Sequence, residues 1–420
     1  MPEAPAPLLT LDDALARLTA GALSAQICEA ETVSTFEALG RVLADDVVSA
    51  IDLPPADNSS MDGYALRVVD VPCTGMLLPV SQRIPAGVVG TALAAGTLAR
   101  IFTGAALPAG ADAVVMQEQC EATDAGAVRV NVLPSVGQWI RRRGEDVRAG
   151  STVVARASRL TPQALGLAAG VGAATLRVLR RPRVALLSTG DELVMPGTVA
   201  PEALPLGAIY NSNRFTLRGL LQAAGCEVTD LGIVPDRLDA TRAALRDAAS
   251  AHDLILSSGG VSVGEEDHIK PAVAAEGQIA LWQVAIKPGR PLAFGAIRRP
   301  EAGAAACLFI GLPGNPVSSF VTFVLAVVPV LRVLQGLPST PTQALRLPAH
   351  FDWPRPDRRR EFLRVRRNAQ GGLDLFPNQS SGVLTSLVWA DGLVDNPSGQ
   401  AIARGDLVDF HALAGLIGAQ

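Results

Sequence analysis

The sequence predicts an α/β multidomain protein: a three-layer α/β domain over residues 182–337, a discontinuous helical domain (1–51 and 144–181) carrying a β-rich insert (52–143), and a small C-terminal β domain (338–420). Three observations lead there. The 420 residues exceed what one ordinary core organises, at about 100 to 200 residues per domain. Between 183 and 335, strand-length apolar runs alternate with helical patterns, the order that builds a largely parallel sheet covered on both faces. Outside that region much of the chain turns to glycine, proline and short β-branched runs.

In the first fifty residues, "LTLDDALARLTAGAL" and "STFEALGRVLADDV" space leucine, alanine and valine at three-to-four intervals. That spacing predicts two helices, with Thr10 and Ser34 as N-caps. From Asp52 to about Arg143, runs such as "AVVMQEQ" and "AVRVNVL" predict the strands of the insert. "TPQALGLAAGVG" then predicts a helix capped by Thr161 with Pro162 in its first position. Further on, "VALLST", "CEVTDLGIV", "DLILSS" and "CLFIGL" read as strands, and "NRFTLRGLLQAAG", "LDATRAALRDAASA" and "PVSSFVTFVLAVVPVLRVL" as helices. The stretch 309–334 is the most apolar. Pro313, Asn315, Pro316 and Pro329 interrupt the run of about 18 residues that a membrane span needs, so a buried helix is expected and no membrane association. After Pro338, "ALRLPAHF", "EFLRVRR", "GLDLFP" and "DLVDFHAL" predict the terminal β domain.

Composition removes several function classes. A formal charge of -4 provides no basic field to hold nucleic acid. Five scattered cysteines without a CxxC pair suit a reducing compartment, and the N-terminus lacks a basic stretch followed by an apolar one, so a cytoplasmic protein is expected. No GxxxxGK[ST], GxGxxG or HExxH pattern is present. "GVSVG" at 260–264 matches the GxSxG of a hydrolase elbow around Ser262, but two glycines and an acidic run break the strand, serine, helix order that motif needs.

The chemistry gathers at strand ends. "STGDEL" (188–193), "SSGGVSVGEED" (257–267) and "GLPGNPVSS" (311–319) each follow a buried strand and offer small residues that expose backbone N–H groups. Ligands of parallel sheets sit beyond the carboxyl ends of the strands, and the last loop runs into a helix whose N-terminus favours an anion. A phosphate-bearing ligand follows. Asp191 and Glu192 in the first loop, Asp267 with Glu265 in the second, and Asp236 after a further strand bring carboxylates that need a cation. Oxygen donors beside phosphates suit Mg2+. Of 36 basic residues only Lys270 and Lys287 are lysine, and Lys287 in "QVAIKPGRPLAFG" is expected to project into the pocket and meet an anion.

Seven ordered motifs carry a resemblance over essentially the whole chain: "DNSSMDGYALR" (57–67), "RIFTGAALPAGADAVVMQE" (100–118), "IRRRGEDVRAG" (140–150), "VALLSTGDEL" (184–193), "ILSSGGVSVGEEDHIK" (255–270), "AIKPGRPLAFG" (285–295) and "GLPGNPVSS" (311–319). They resemble the molybdopterin molybdenumtransferases of molybdenum cofactor biosynthesis, related to the E domain of gephyrin. The resemblance implies a four-domain homodimer whose α/β domain binds molybdopterin. It implies the transfer of molybdenum from molybdate to adenylylated molybdopterin with release of AMP, dependent on Mg2+. The molybdopterin adenylyltransferase is an implied partner.

By the same resemblance Asp62, Thr103, Asp146, Glu192, Asp236, Asp267 and Lys287 are the expected catalytic residues, with Glu192, Asp236 and Asp267 near the metal. Substrate contacts are expected from Ser188, Thr189, Gly190, Asp191, Asn213, Ser258, Gly259, Gly260 and Ser262. Further contacts are expected from Pro288, Gly289, Pro313, Gly314, Asn315, Pro316 and Ser318, with Arg364 and Ser381 supplied by the C-terminal domain. Asp62, Thr103 and Asp146 belong in the family to the same cleft, one subunit completing the other's site. Arg141, Arg142 and Arg143 are either phosphate ligands or a solvated face. Gln283 and Arg290 stand where many members carry lysine, which questions the strength of the oxyanion site. The alternative function is a gephyrin-like scaffold that has lost turnover.

Overall fold

The computed structural model describes residues 8–124, 126–260, 268–301, 305–338 and 343–417. It divides into two compact units. The larger holds the chain up to Glu31, Gly40–Ala44 and everything from Arg177 onward; the smaller holds Thr32–Leu39 and Asp45–Leu176.

A six-stranded sheet forms the centre of the larger unit, in the order Glu227–Val234, Arg183–Thr189, Leu254–Ser258, Cys307–Leu312, Pro291–Ile297, Gly277–Gln283. The first four strands are parallel, and the last two join antiparallel. Alternate residues feed opposite cores. Val184, Leu186, Leu254, Leu256, Leu308 and Ile310 face one side, and Ala185, Leu187, Ile255, Cys307 and Phe309 the other. With helices on both faces, these strands need apolar residues at every position, which is why they read as unbroken runs. Ser212–Ala223 buries Leu217, Leu220 and Leu221 on the first side, and Leu238–Ala251 buries Leu245, Ala248 and Ala249 on the second.

The apolar helix Pro316–Leu334 is 83% buried over its most apolar window, as a core helix is. It passes Pro329 without ending. A π turn at Phe323–Val327 precedes the proline and absorbs the backbone N–H it lacks. The helix Leu11–Leu23 begins at Thr10, whose hydroxyl accepts the Asp13 N–H at 3.1 Å, and packs Leu11, Ala14, Leu18 and Ala22 into the same core. The second helix expected in the first fifty residues does not form. "STFEALGRVLADDV" contains only a 3-10 turn, Thr35–Glu37, followed by the short strands Val42–Leu43 and Val47–Val48. Gly40, at φ +73, ends the helical course after one turn.

The C-terminal sheet runs Ile286–Lys287, Arg360–Arg367, Gly392–Asn396, Leu407–Ala412, Leu345–Pro348, around a core that includes Leu363, Val365, Val394 and Phe410. Its first strand is borrowed from the α/β region. Lys287 pairs with Glu361 in parallel register.

In the smaller unit a six-stranded sheet follows the order Ala113–Met116, Gly63–Leu66, Leu98–Ile101, Met76–Ile84, Ala127–Val130, Cys120–Ala122. The helix Pro162–Gly170 starts as expected, with Thr161 Oγ1 accepting the Ala164 N–H at 3.2 Å.

Candidate functional site

The carboxyl ends of the parallel strands open onto a cleft of about 640 Å³. Thr189, Gly190 and Glu192 line it from the first loop, Gly259 and Gly260 from the second, and Pro313, Gly314, Asn315 and Ser318 from the third. Asp236 joins them from beyond Val234. The remaining wall comes from Lys287, Pro288, Gly289, Arg290 and Pro291 and, in the C-terminal sheet region, from Arg359, Gln379, Ser380 and Ser381. Three loops far apart in sequence thus meet where strand-end geometry puts a ligand.

Small residues hold the loops close together. A Cβ on Gly259 would lie 2.8 Å from the Thr189 carbonyl oxygen, and the residue sits at φ +90. Gly259→Val is expected to cost about 1–3 kcal/mol in backbone strain alone and to push two cleft loops apart; a thermal melt checks it. Asn213 ties two loops directly. Its Nδ2 donates to Ser258 Oγ at 2.9 Å and to the Gly314 carbonyl at 2.7 Å. Ser188, 0% exposed, and Ser258, 3% exposed, are buried within their strands and do not line the cleft. Asp191 is exposed outside it, and Pro316 opens the core helix.

The cations are arranged differently from expectation. Lys287 Nζ lies 3.1 Å from Glu361 Oε1 and 3.4 Å from Asp357 Oδ2, so it meets two carboxylates of its own chain. Arg359 grips Asp357 through both oxygens, Nε to Oδ1 at 3.0 Å and Nη2 to Oδ2 at 2.9 Å. This pairing, with Lys287 alongside, holds the Asp357 carboxyl far below the usual carboxylate range. Arg290 meets only an amide among the described residues, its Nη2 donating to Gln283 Oε1 at 2.6 Å. The positive charge absent at 283 is therefore replaced by a neutral side chain that orients the arginine of the cleft.

Arg364, expected to contact the substrate, does not line the cleft. It is 1% exposed and donates to Ser386 Oγ at 3.2 Å and to the carbonyls of Phe362 and Ser380, both at 3.3 Å. Burial, with no carboxylate on it among the described residues, pushes its guanidinium down to about 10. It lies behind the Ser380–Ser381 loop, whose Ser381 lines the cleft. Arg359, Gln379 and Ser380 were missed, although "NQSSG" has the small polar texture of the other loops. Asp267 and Ser262 lie outside the described residues.

In the smaller unit Asp62 Oδ1 accepts both the backbone N–H and the hydroxyl of Thr103, each at 2.8 Å. These two bonds, the backbone one first, lower the Asp62 carboxyl below its ordinary value. Asp146 is exposed, with its backbone N–H on the Leu53 carbonyl at 3.0 Å. Arg142 pairs with Asp57 at 2.7 Å and Arg143 with Asp52 at 2.5 Å, so two of the three arginines are engaged within the unit.

Residues 9–172 match the MoeA N-terminal region (domain I and II), 185–333 the probable molybdopterin binding domain, and 346–413 the MoeA C-terminal region (domain IV). The molybdopterin molybdenumtransferase of Haemophilus influenzae is 41% identical over 77% of this chain and 76% of its own. The molybdopterin molybdenumtransferase 2 of Mycobacterium tuberculosis is 39% identical over 88% and 91%. The chain belongs to the molybdopterin molybdenumtransferase family. Like its relatives in that family it is a transferase, with a role in molybdenum cofactor biosynthesis. The crystal structure of a molybdopterin biosynthesis MoeA protein from Pyrococcus horikoshii superposes with a TM-score of 0.81 at 28% identity, covering 97% of this chain and all of that one. The multidomain α/β architecture read from the sequence is the family's fold.

Proposed function

We propose that the chain transfers molybdenum from molybdate to adenylylated molybdopterin and releases AMP, acting as a cytoplasmic homodimer. The observation that carries this reading is the composition of the cleft. Glycine and serine loops suited to phosphates, two carboxylates, and three cations share one cavity large enough for a nucleotide-sized ligand.

Mg2+ fits the donors present. Glu192 and Asp236 both line the cleft, and this ion is held through one or two carboxylates together with substrate phosphates. Glu192 and Asp236, with Asp267 by the family resemblance, would hold it, and it would supply neutralisation of charge on the pyrophosphate. The chain's own groups then have separable tasks. Backbone N–H groups of the glycine loops and the N-terminus of the core helix bind phosphate oxygens. Cleavage of the P–O–P link by water leaves a phosphate monoester on the pterin and frees AMP. Lys287, Arg290 and Arg359 present donors for a tetrahedral dianion, with the hydroxyls of Ser318 and Ser381 completing its shell. Each molybdenum oxo group replaced by a dithiolene sulfur leaves as water, so protons must reach it while the dianion stays held.

Incubating the purified protein with adenylylated molybdopterin, Mg2+ and molybdate is expected to release AMP in step with molybdenum bound to the pterin. A folded protein that releases none would leave the scaffold reading.

A further inference from the structure

The Lys287 ammonium sits in a built setting. Glu361, 1% exposed, accepts it on Oε1 at 3.1 Å, while Oε2 accepts the Trp353 indole N–H at 2.8 Å and the Asp357 backbone N–H at 3.1 Å. The parallel pairing of Ile286–Lys287 with Arg360–Glu361 brings the two residues side by side. Donors therefore approach both oxygens of one buried side chain. Only a carboxylate accepts on both; a glutamine amide would set its NH2 either against the ammonium or against the N–H groups that meet Oε2. Lys287 carries a flexible four-carbon stem and is 39% exposed, so it has no rigid fork of its own to fix its charge.

We propose that Glu361 is the positioning residue of the oxyanion site: its carboxylate, anchored on Trp353, fixes the Lys287 ammonium on the cleft wall and thereby sets the affinity for a tetrahedral dianion. This rests on the reading that Lys287 meets molybdate. In Glu361→Gln the amide turns its oxygen to the Trp353 and Asp357 donors, which the Asn396 amide joins at 3.5 Å, because several N–H groups outweigh one partly exposed ammonium, and its NH2 displaces Lys287.

The test is molybdate binding to the full-length protein by calorimetric titration, with thermal melting and the affinity for AMP measured in parallel. Glu361→Gln is expected to weaken molybdate binding about tenfold or more, with AMP affinity unchanged. Glu361→Asp, which keeps the charge, should recover part of the loss. Lys287→Met serves as the control. If Lys287→Met loses molybdate while Glu361→Gln binds it as the wild type does, the positioning role is overturned and the cleft reading stands. If Lys287→Met also binds normally, both fall. Should Glu361→Gln fail to fold, Trp353→Phe decides, with the thermal melt controlling for the ring volume lost beside the C-terminal core. In a folded Trp353→Phe protein, loss of the indole N–H is expected to weaken binding about threefold, and unaltered binding refutes the proposal.

Discussion

Replacing Glu192 by glutamine and Asp236 by asparagine together is expected to lower AMP release by a factor of about 100 to 1000. The two side chains reach the cleft from different strand ends, and the amides keep their shape while removing two negative charges. If these carboxylates hold the cation that offsets the pyrophosphate, the loss should appear in turnover and in a steeply raised Mg2+ requirement. AMP binding without metal should hold or tighten, since two repulsive charges are gone. A double variant that turns over normally at wild-type Mg2+ concentrations would remove the metal assignment.

Arg364→Met should separate stability from activity. Among the described residues this buried guanidinium faces a hydroxyl and two carbonyls, so it is desolvated with no ionic partner among them. Because burial holds its folded-state pKa at about 10, below the unfolded value, the penalty is present in full at neutral pH and is relieved only as pH rises through 10. Methionine, of similar length and apolar, is expected to leave stability no lower than the wild type and up to about 2 kcal/mol higher by denaturant melts. Turnover should nevertheless fall about 10- to 100-fold, because Nη2 holds the Ser380 carbonyl and its charge lies behind the loop that carries Ser381 into the cleft. A variant both less stable and fully active would make Arg364 a packing residue.

Many of the expected site residues were legible locally. Glycine beside serine or asparagine after an apolar run marks a strand-end loop because few other residues let backbone N–H groups approach a ligand, and in such a sheet all those loops lie at one edge. Thr189, Gly190, Glu192, Gly259, Gly260, Gly314 and Asn315 duly converge. The failed helix after Ser34 shows the limit of periodicity: its spacing was helical, but Gly40 and the strand pairings of Val42–Leu43 and Val47–Val48 prevailed.

The amino-acid order by itself determined the parallel core, the caps at Thr10 and Thr161, the buried course of the 316–334 segment and the loops of the cleft, because each follows from periodicity or backbone freedom within a dozen residues. Tertiary structure alone decided which charges pair on the far wall. Lys287 meets Glu361 across seventy-four residues only because a two-residue strand leaves one sheet to start another. Arg364 lies inside the strand Arg360–Arg367 with its side chain buried behind the loop, whereas Arg359 precedes that strand and lines the cleft, and no local pattern in this arginine-rich stretch tells the two apart.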